Sequence, residues 1–249
     1  MSEPNQFLYY MFHVIGFIAT AIFTALYTRK FKVKIWRTVV LLACVYPLVY
    51  LFMMLLCWVE NGFKNFGGQN IVRIFIWIPL FVLPFAYILK INYRRALNIV
   101  APIPLVIHGV SHFGCIFMGC CCGYPWEYGI YNPALKIRTF PIQPIEAITA
   151  LLILVAVVFY CYKKKFSNTA KSYSLMLMLF GSTRFMFEFA RDNDKLFWGI
   201  SNLAIHAFVM FIVGFVFFFF VNIKPKPDPL EPEESPAENE PVQEKVETQ

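Results

Sequence analysis

The feature that most constrains this chain is a succession of apolar runs, each about as long as a bilayer is thick. A helix needs roughly 20 such residues to cross the hydrocarbon core. Runs of that kind occupy residues 7–27, 36–58, 71–90, 97–117, 144–162, 172–190 and 198–222. They predict an all-α, polytopic membrane protein with seven transmembrane helices. Composition agrees: 59% of the 249 residues are hydrophobic and only 15% charged, where a soluble domain carries about a quarter charged. The opening Met-Ser-Glu-Pro lacks a positive leader, so the first run reads as a retained helix rather than a cleaved signal.

Charge placement gives orientation. Fifteen of the 22 Lys and Arg residues fall in alternate connections, at 29–37, 90–95, 163–171 and in the C-terminal tail. The positive-inside rule then puts the N-terminus outside, the C-terminus in the cytoplasm and residues 118–143 on the outer face. The net charge of +7 is thus a topological signal, with no nucleic-acid partner implied. The chain divides into a transmembrane domain, 1–223, and a tail, 224–249, that is proline-rich, acidic and free of aromatics. Such a tail buries too little apolar surface to offset its ordering entropy and is expected to be disordered.

Polar groups in apolar spans need a reason, because an ionised side chain at the bilayer centre costs about 2.5–3.5 kcal/mol even on lenient scales. Arg184, Glu188 and Arg191 stand at i, i+4 and i+7, on one helical face. Two arginines with a carboxylate to orient them suit an anion such as a phospholipid headgroup, and the bland alternative is an interfacial Arg–Glu pair. Gln143 and Glu146 open the fifth span, where a carboxylate also serves simply as a helix-dipole partner.

The densest patch is His108-Gly-Val-Ser-His112-Phe-Gly114-Cys115-Ile-Phe-Met-Gly119-Cys120-Cys121-Cys122-Gly123. His108, His112 and Cys115 are spaced to ligate a soft metal, but three adjacent cysteines match no usual C-x-x-C pair. Packed thiols or a disulfide are the alternatives, and no metal or other cofactor is expected. Cys44, Cys57 and Cys161 lie within apolar runs and read as core. Gly114, Gly119 and Gly123 allow a tight turn and close approach of a bound group to backbone amides.

Taken together, these motifs resemble the prolipoprotein diacylglyceryl transferase family. Its first motif, A-P-x(9)-R-x-G-N/C-x-x-x-G-x-x-x-G, is met by Ala101-Pro102, His112-Phe-Gly114-Cys115, Gly119 and Gly123. The family's H-P-x-Q-L-Y-E is matched in part by Pro141, Gln143 and Glu146. Its Y-G-x-x-R-F-x-x-E-F-x-R corresponds to Gly181-Ser-Thr-Arg184-Phe-Met-Phe-Glu188-Phe-Ala-Arg191, and Gly199-Ile-Ser201 to its G-L/I-S. The resemblance implies a bacterial plasma-membrane enzyme moving the diacylglyceryl group of phosphatidylglycerol to the lipobox cysteine thiol of prolipoprotein signal peptides, at the outer leaflet. It implies that Arg184 and Arg191 hold the phosphate, that Glu188 orients an arginine, and that Gly119 and Gly123 admit the headgroup, with Gly114, Gln143 and Glu146 lining the substrate site. The chain departs from the pattern in carrying His112 for the family arginine, Cys115 for asparagine and Phe140 for histidine. The family's H-G-G segment has no counterpart, since Gly67-Gly68 lacks a preceding His. Two readings follow: a divergent transferase with His112 (or His108) as base for the thiol, or a non-catalytic member that binds phospholipid or a partner in the same cleft. A metal or thiol-redox protein built on the cysteines is the third.

Overall fold

The computed structural model describes residues 3–60, 62–63, 71–166, 169–191 and 200–221. Gly67-Gly68, Gly199 and the acidic tail lie outside the described residues. The described chain is mostly helical: α1 Gln6–Lys30, α2 Ile35–Glu60, α3 Ile71–Ile88, α4 Tyr93–Val100, α5 Ile103–Met118, α6 Ile142–Lys163, α7 Lys171–Glu188 and α8 Asn202–Val216, the last running into a π turn at Phe217–Val221.

The apolar run at 97–117 is two helices. Pro102 has no N–H for a helical ladder, and with Pro104 it restarts the chain after Ala101. Asn92 caps the first piece by accepting from the Arg94 and Arg95 amides. Together α4 and α5 form the centre of the bundle, with 78% of this apolar stretch buried. Helix α5 packs chiefly against α1 and α6, and α7 against α8. Leu97, Val100, Leu105, Phe75, Ile78, Ile153, Met176, Leu177 and Met210 make one continuous core across these helices. By contrast α1 turns Phe17, Ile18, Ile22 and Leu26 outward. An outward apolar face of that length is stable against hydrocarbon and unfavourable in water.

Five helical stretches among the described residues are long and apolar enough to cross a membrane: Gln6–Lys30, Ile35–Val59, Tyr93–Met118, Ile142–Lys163 and Asn202–Phe220. The apolar part of α3, Arg73–Ile88, is shorter, and α7 is too polar over its length, because its inner face carries Ser172, Ser174, Arg184 and Glu188.

The all-helical expectation is corrected in the loop after α5. A two-stranded antiparallel hairpin forms there, β1 Pro125–Asn132 with β2 Ile137–Thr139. Aromatic residues favour it on β1, and Asn132 closes its turn by accepting from the Ala134 and Leu135 amides.

Candidate active site

The polar centre of the bundle is Glu146. The N-terminal part of α6 turns Gln143 and Glu146 inward, three residues apart, and Glu146 is 3% exposed. The last two turns of α7 bring Arg184 and Glu188 to it, and α5 brings His112. Arg191 lies beyond the end of α7, where a bridge to Gly123 holds its backbone. All six side chains are buried.

Arg191 grips the carboxylate as a fork, Nε donating to Oε1 at 3.0 Å and Nη2 to Oε2 at 2.5 Å. Arg184 Nη1 makes an ion pair with the same Oε1. His112 Nε2 lies 2.8 Å from Oε2, a close contact that falls short of an aligned hydrogen bond. Glu188 stands one step back. Its Oε2 is 4.0 Å from Arg191 Nε, and its Oε1 accepts from Ser201 Oγ at 2.8 Å. Ser201 also caps α8 by accepting from the Ala204 amide at 3.1 Å. Two carboxylates thus face two guanidiniums, so the group is neutral when His112 is neutral. This balance is what makes its burial tolerable. Burial alone opposes the charge on Arg191, but the adjoining Glu146 outweighs it and raises the pKa above the ordinary value.

The expected residues His112, Glu146, Arg184 and Arg191 therefore converge, with Glu188 beside them. The carboxylate that contacts both arginines directly is Glu146, and Glu188 stands at the longer distance of 4.0 Å from Arg191. Gln143 serves the loop above, donating from Nε2 to the Cys120 carbonyl at 3.0 Å. The three glycines face the chain itself. A Cβ on Gly114 would stand 3.0 Å from the Tyr9 carbonyl of α1, and one on Gly123 2.7 Å from the Phe140 carbonyl. Gly119 ends α5 in the left-handed conformation, φ 76°, against Asn132. Arg184 Nε has no hydrogen-bond partner among the described residues. It borders a cavity of about 10 Å3 with His108, Thr149, Thr183 and Phe187, room for about one water.

Among the described residues two groups of possible metal ligands emerge, each with its atoms within 4.8 Å of one another. The first, His108, His112 and Glu146, is a poor cation site, because two guanidiniums already occupy the carboxylate. The second is Cys115, Cys120 and Cys121. Hydrogen bonds from Cys115 and Cys120 outweigh burial there and, with Arg191 and His112, hold the Cys121 thiol well below its usual pKa.

Sequence reading did not single out Asn132 or the contact of Ser201 with Glu188. Asn132 is 2% exposed and donates to the Gly119 carbonyl at 3.0 Å, fixing the hairpin to the end of α5. The Asn132-Pro133 dipeptide, a turn signal, was the available clue.

The family model described as prolipoprotein diacylglyceryl transferase matches residues 45–220. The curated phosphatidylglycerol–prolipoprotein diacylglyceryl transferase of Clostridium tetani is 23% identical over 134 residues, 52% of this chain and 53% of that protein. The chain spans about half the length of the curated relative it matches. With most of the bundle and every residue of the Glu146 cluster inside the matched range, the chain belongs to the prolipoprotein diacylglyceryl transferase family.

Proposed function

We propose that this protein transfers the diacylglyceryl group of phosphatidylglycerol to the lipobox cysteine of prolipoprotein signal peptides, at the outer leaflet of a bacterial plasma membrane. The observation that carries the reading is the pair of arginines held on one buried carboxylate, inside a family of this chemistry. The thiol sulfur attacks the glyceryl carbon that bears the phosphate ester. The new C–S bond is the thioether, the C–O bond to phosphate breaks, and glycerol phosphate leaves with the electron pair. His112 takes the thiol proton. Arg184, through the Nε that has no hydrogen-bond partner among the described residues, and Arg191 stabilise the charge that grows on the leaving phosphate. Such stabilisation is strongest at a dry site, because nothing there screens the charges. Glu146 positions both guanidiniums, and Glu188 steadies Arg191. In this reading seven spans, an external N-terminus and a cytoplasmic C-terminus set the cluster toward the outer leaflet.

A specific observation favours the second reading, a member that binds phospholipid without turning it over. The cavity beside the cluster holds only about 10 Å3, so a headgroup enters it only if the walls around Arg184 and Glu146 rearrange. The two readings separate in one experiment. Purified full-length protein is incubated with phosphatidylglycerol and a lipobox peptide, and the peptide is weighed by mass spectrometry. A thioether-linked diacylglyceryl adduct supports the transferase. Tightly retained phosphatidylglycerol with no adduct, under conditions where a family enzyme works, assigns the binding role.

A further inference from the structure

The three thiols at the end of α5 are not used by the transfer chemistry. We propose that Cys115, Cys120 and Cys121 form a three-thiolate site for a soft or borderline-soft metal ion, zinc in the first place.

Spacing along the chain conceals this site, and the backbone reveals it. Gly119 ends α5 in the left-handed conformation, so the next two residues fold back over the last turn of the helix that carries Cys115. The three sulfurs come within 4.8 Å of one another. Thiolates at about 2.3 Å from a tetrahedral zinc stand about 3.8 Å apart, so closing on an ion needs sulfur movements of about 1 Å. Side-chain rotation supplies that without moving the backbone.

Cys121 adds an independent sign. It holds φ 56°, a conformation that costs a residue with a Cβ about 1–2 kcal/mol and is kept only where surroundings enforce it. The loop around it is braced on three sides. Gln143 donates to the Cys120 carbonyl, Asn132 donates to the Gly119 carbonyl, and Gly123 bridges to Arg191. This bracing holds the thiols together in advance, which is how a binding site is preorganised.

Chemistry selects the ion. Three thiolates are soft donors and discriminate against magnesium and calcium, which take oxygen ligands. A divalent ion with three thiolates carries one net negative charge, and Arg191 and His112 lie close enough to act on Cys121 electrostatically. Cys115 is 8% exposed while Cys121 is exposed, so the site has a buried floor and an open entry. Among the described residues the group holds three ligands, and a fourth position left to an exchangeable ligand is the pattern of reactive rather than purely structural zinc sites. The site adjoins the Glu146 cluster through His112, whose Nδ1 lies 3.8 Å from Cys115 Sγ, but its existence does not depend on the transferase reading.

The test uses full-length protein purified in detergent with a non-thiol reductant and no chelator, from cells grown with added zinc. Elemental analysis is expected to find about one zinc per chain, and Cys115→Ser, Cys120→Ser and Cys121→Ser are each expected to lose most of it. Cys44→Ser, in the apolar α2 and outside the group of three, is expected to keep it. Should a serine variant fail to fold, cobalt added to the metal-free native chain gives a second readout. Thiolate-to-cobalt charge-transfer bands that zinc then abolishes support the site. Zinc retained equally by the triple serine variant would be adventitious and would overturn the proposal. So would a thiol count two short of the seven cysteines, with the missing pair mapped to this loop.

Discussion

Replacing Glu146 with glutamine keeps the shape of the side chain and removes its charge. Glu146 is 3% exposed and is shared by Arg184, Arg191 and His112, so the variant strands two buried guanidiniums whose principal counter-charge is gone. Removing one partner of a buried ion pair costs about 3–5 kcal/mol, most of it the cost of leaving the other charge unpaired. Glu188 compensates only in part, since its nearest approach to Arg191 is 4.0 Å. At about 2–4 °C per kcal/mol for a chain of this size, the midpoint of thermal unfolding in detergent is expected to fall by about 10 °C. A double-mutant cycle sharpens the test. Arg191→Leu alone leaves Glu146 with Arg184, whereas Arg191→Leu in the Glu146→Gln background removes a charge that is already stranded. The second loss is expected to be smaller by about 1–3 kcal/mol, the range for residues in direct contact. Additive losses, or a midpoint within about 2 °C of wild type for Glu146→Gln, would refute the claim that this carboxylate holds the cluster together.

Gly119→Ala places a Cβ at φ 76° against Asn132 and the Ala134 backbone, and is expected to cost at least 1–2 kcal/mol, read as a lowered thermal midpoint. A Gly119→Ala variant as stable as wild type would contradict the left-handed cap. Ser201→Ala removes both the α8 cap and the hydrogen bond to Glu188, and about 1–2 kcal/mol of stability is expected to go with them. Ser201→Thr keeps the hydroxyl and is expected to recover most of that loss in the same melt.

Periodicity and composition made the bundle legible because hydrocarbon leaves so few options: apolar runs of bilayer length read directly as α1, α2 and α6. The hairpin was not legible. Residues 125–139 follow no run long enough to establish strand alternation, and the hairpin is fixed to the end of α5 by the tertiary hydrogen bond from Asn132 to the Gly119 carbonyl. The α7 face carrying Arg184 and Glu188 was readable from the i, i+4 spacing alone. The rank of the two carboxylates was not. A glutamate near the N-terminus of a helix has an ordinary use as a dipole partner, and only the packing of α5, α6 and α7 shows Glu146 taking both arginines. The cysteine trio was hidden for a similar reason. Sequence separation is a poor guide to sulfur separation when a left-handed glycine reverses the chain between them.

The most direct measurement of the central claim is turnover by a folded variant of the arginine pair. Arg184→Lys keeps a positive charge but lacks the planar fork, and Arg184 Nε is a buried donor with no hydrogen-bond partner among the described residues. Formation of the thioether peptide and release of glycerol phosphate are followed together in detergent micelles with phosphatidylglycerol. The wild-type chain is expected to yield both products in equal amounts, and Arg184→Lys to lower the rate by about 100-fold or more, the scale for loss of one charge-stabilising donor. Equal rates for the two proteins, both shown to be folded by their melting profiles, would contradict the assignment of this cluster to the transfer of the diacylglyceryl group.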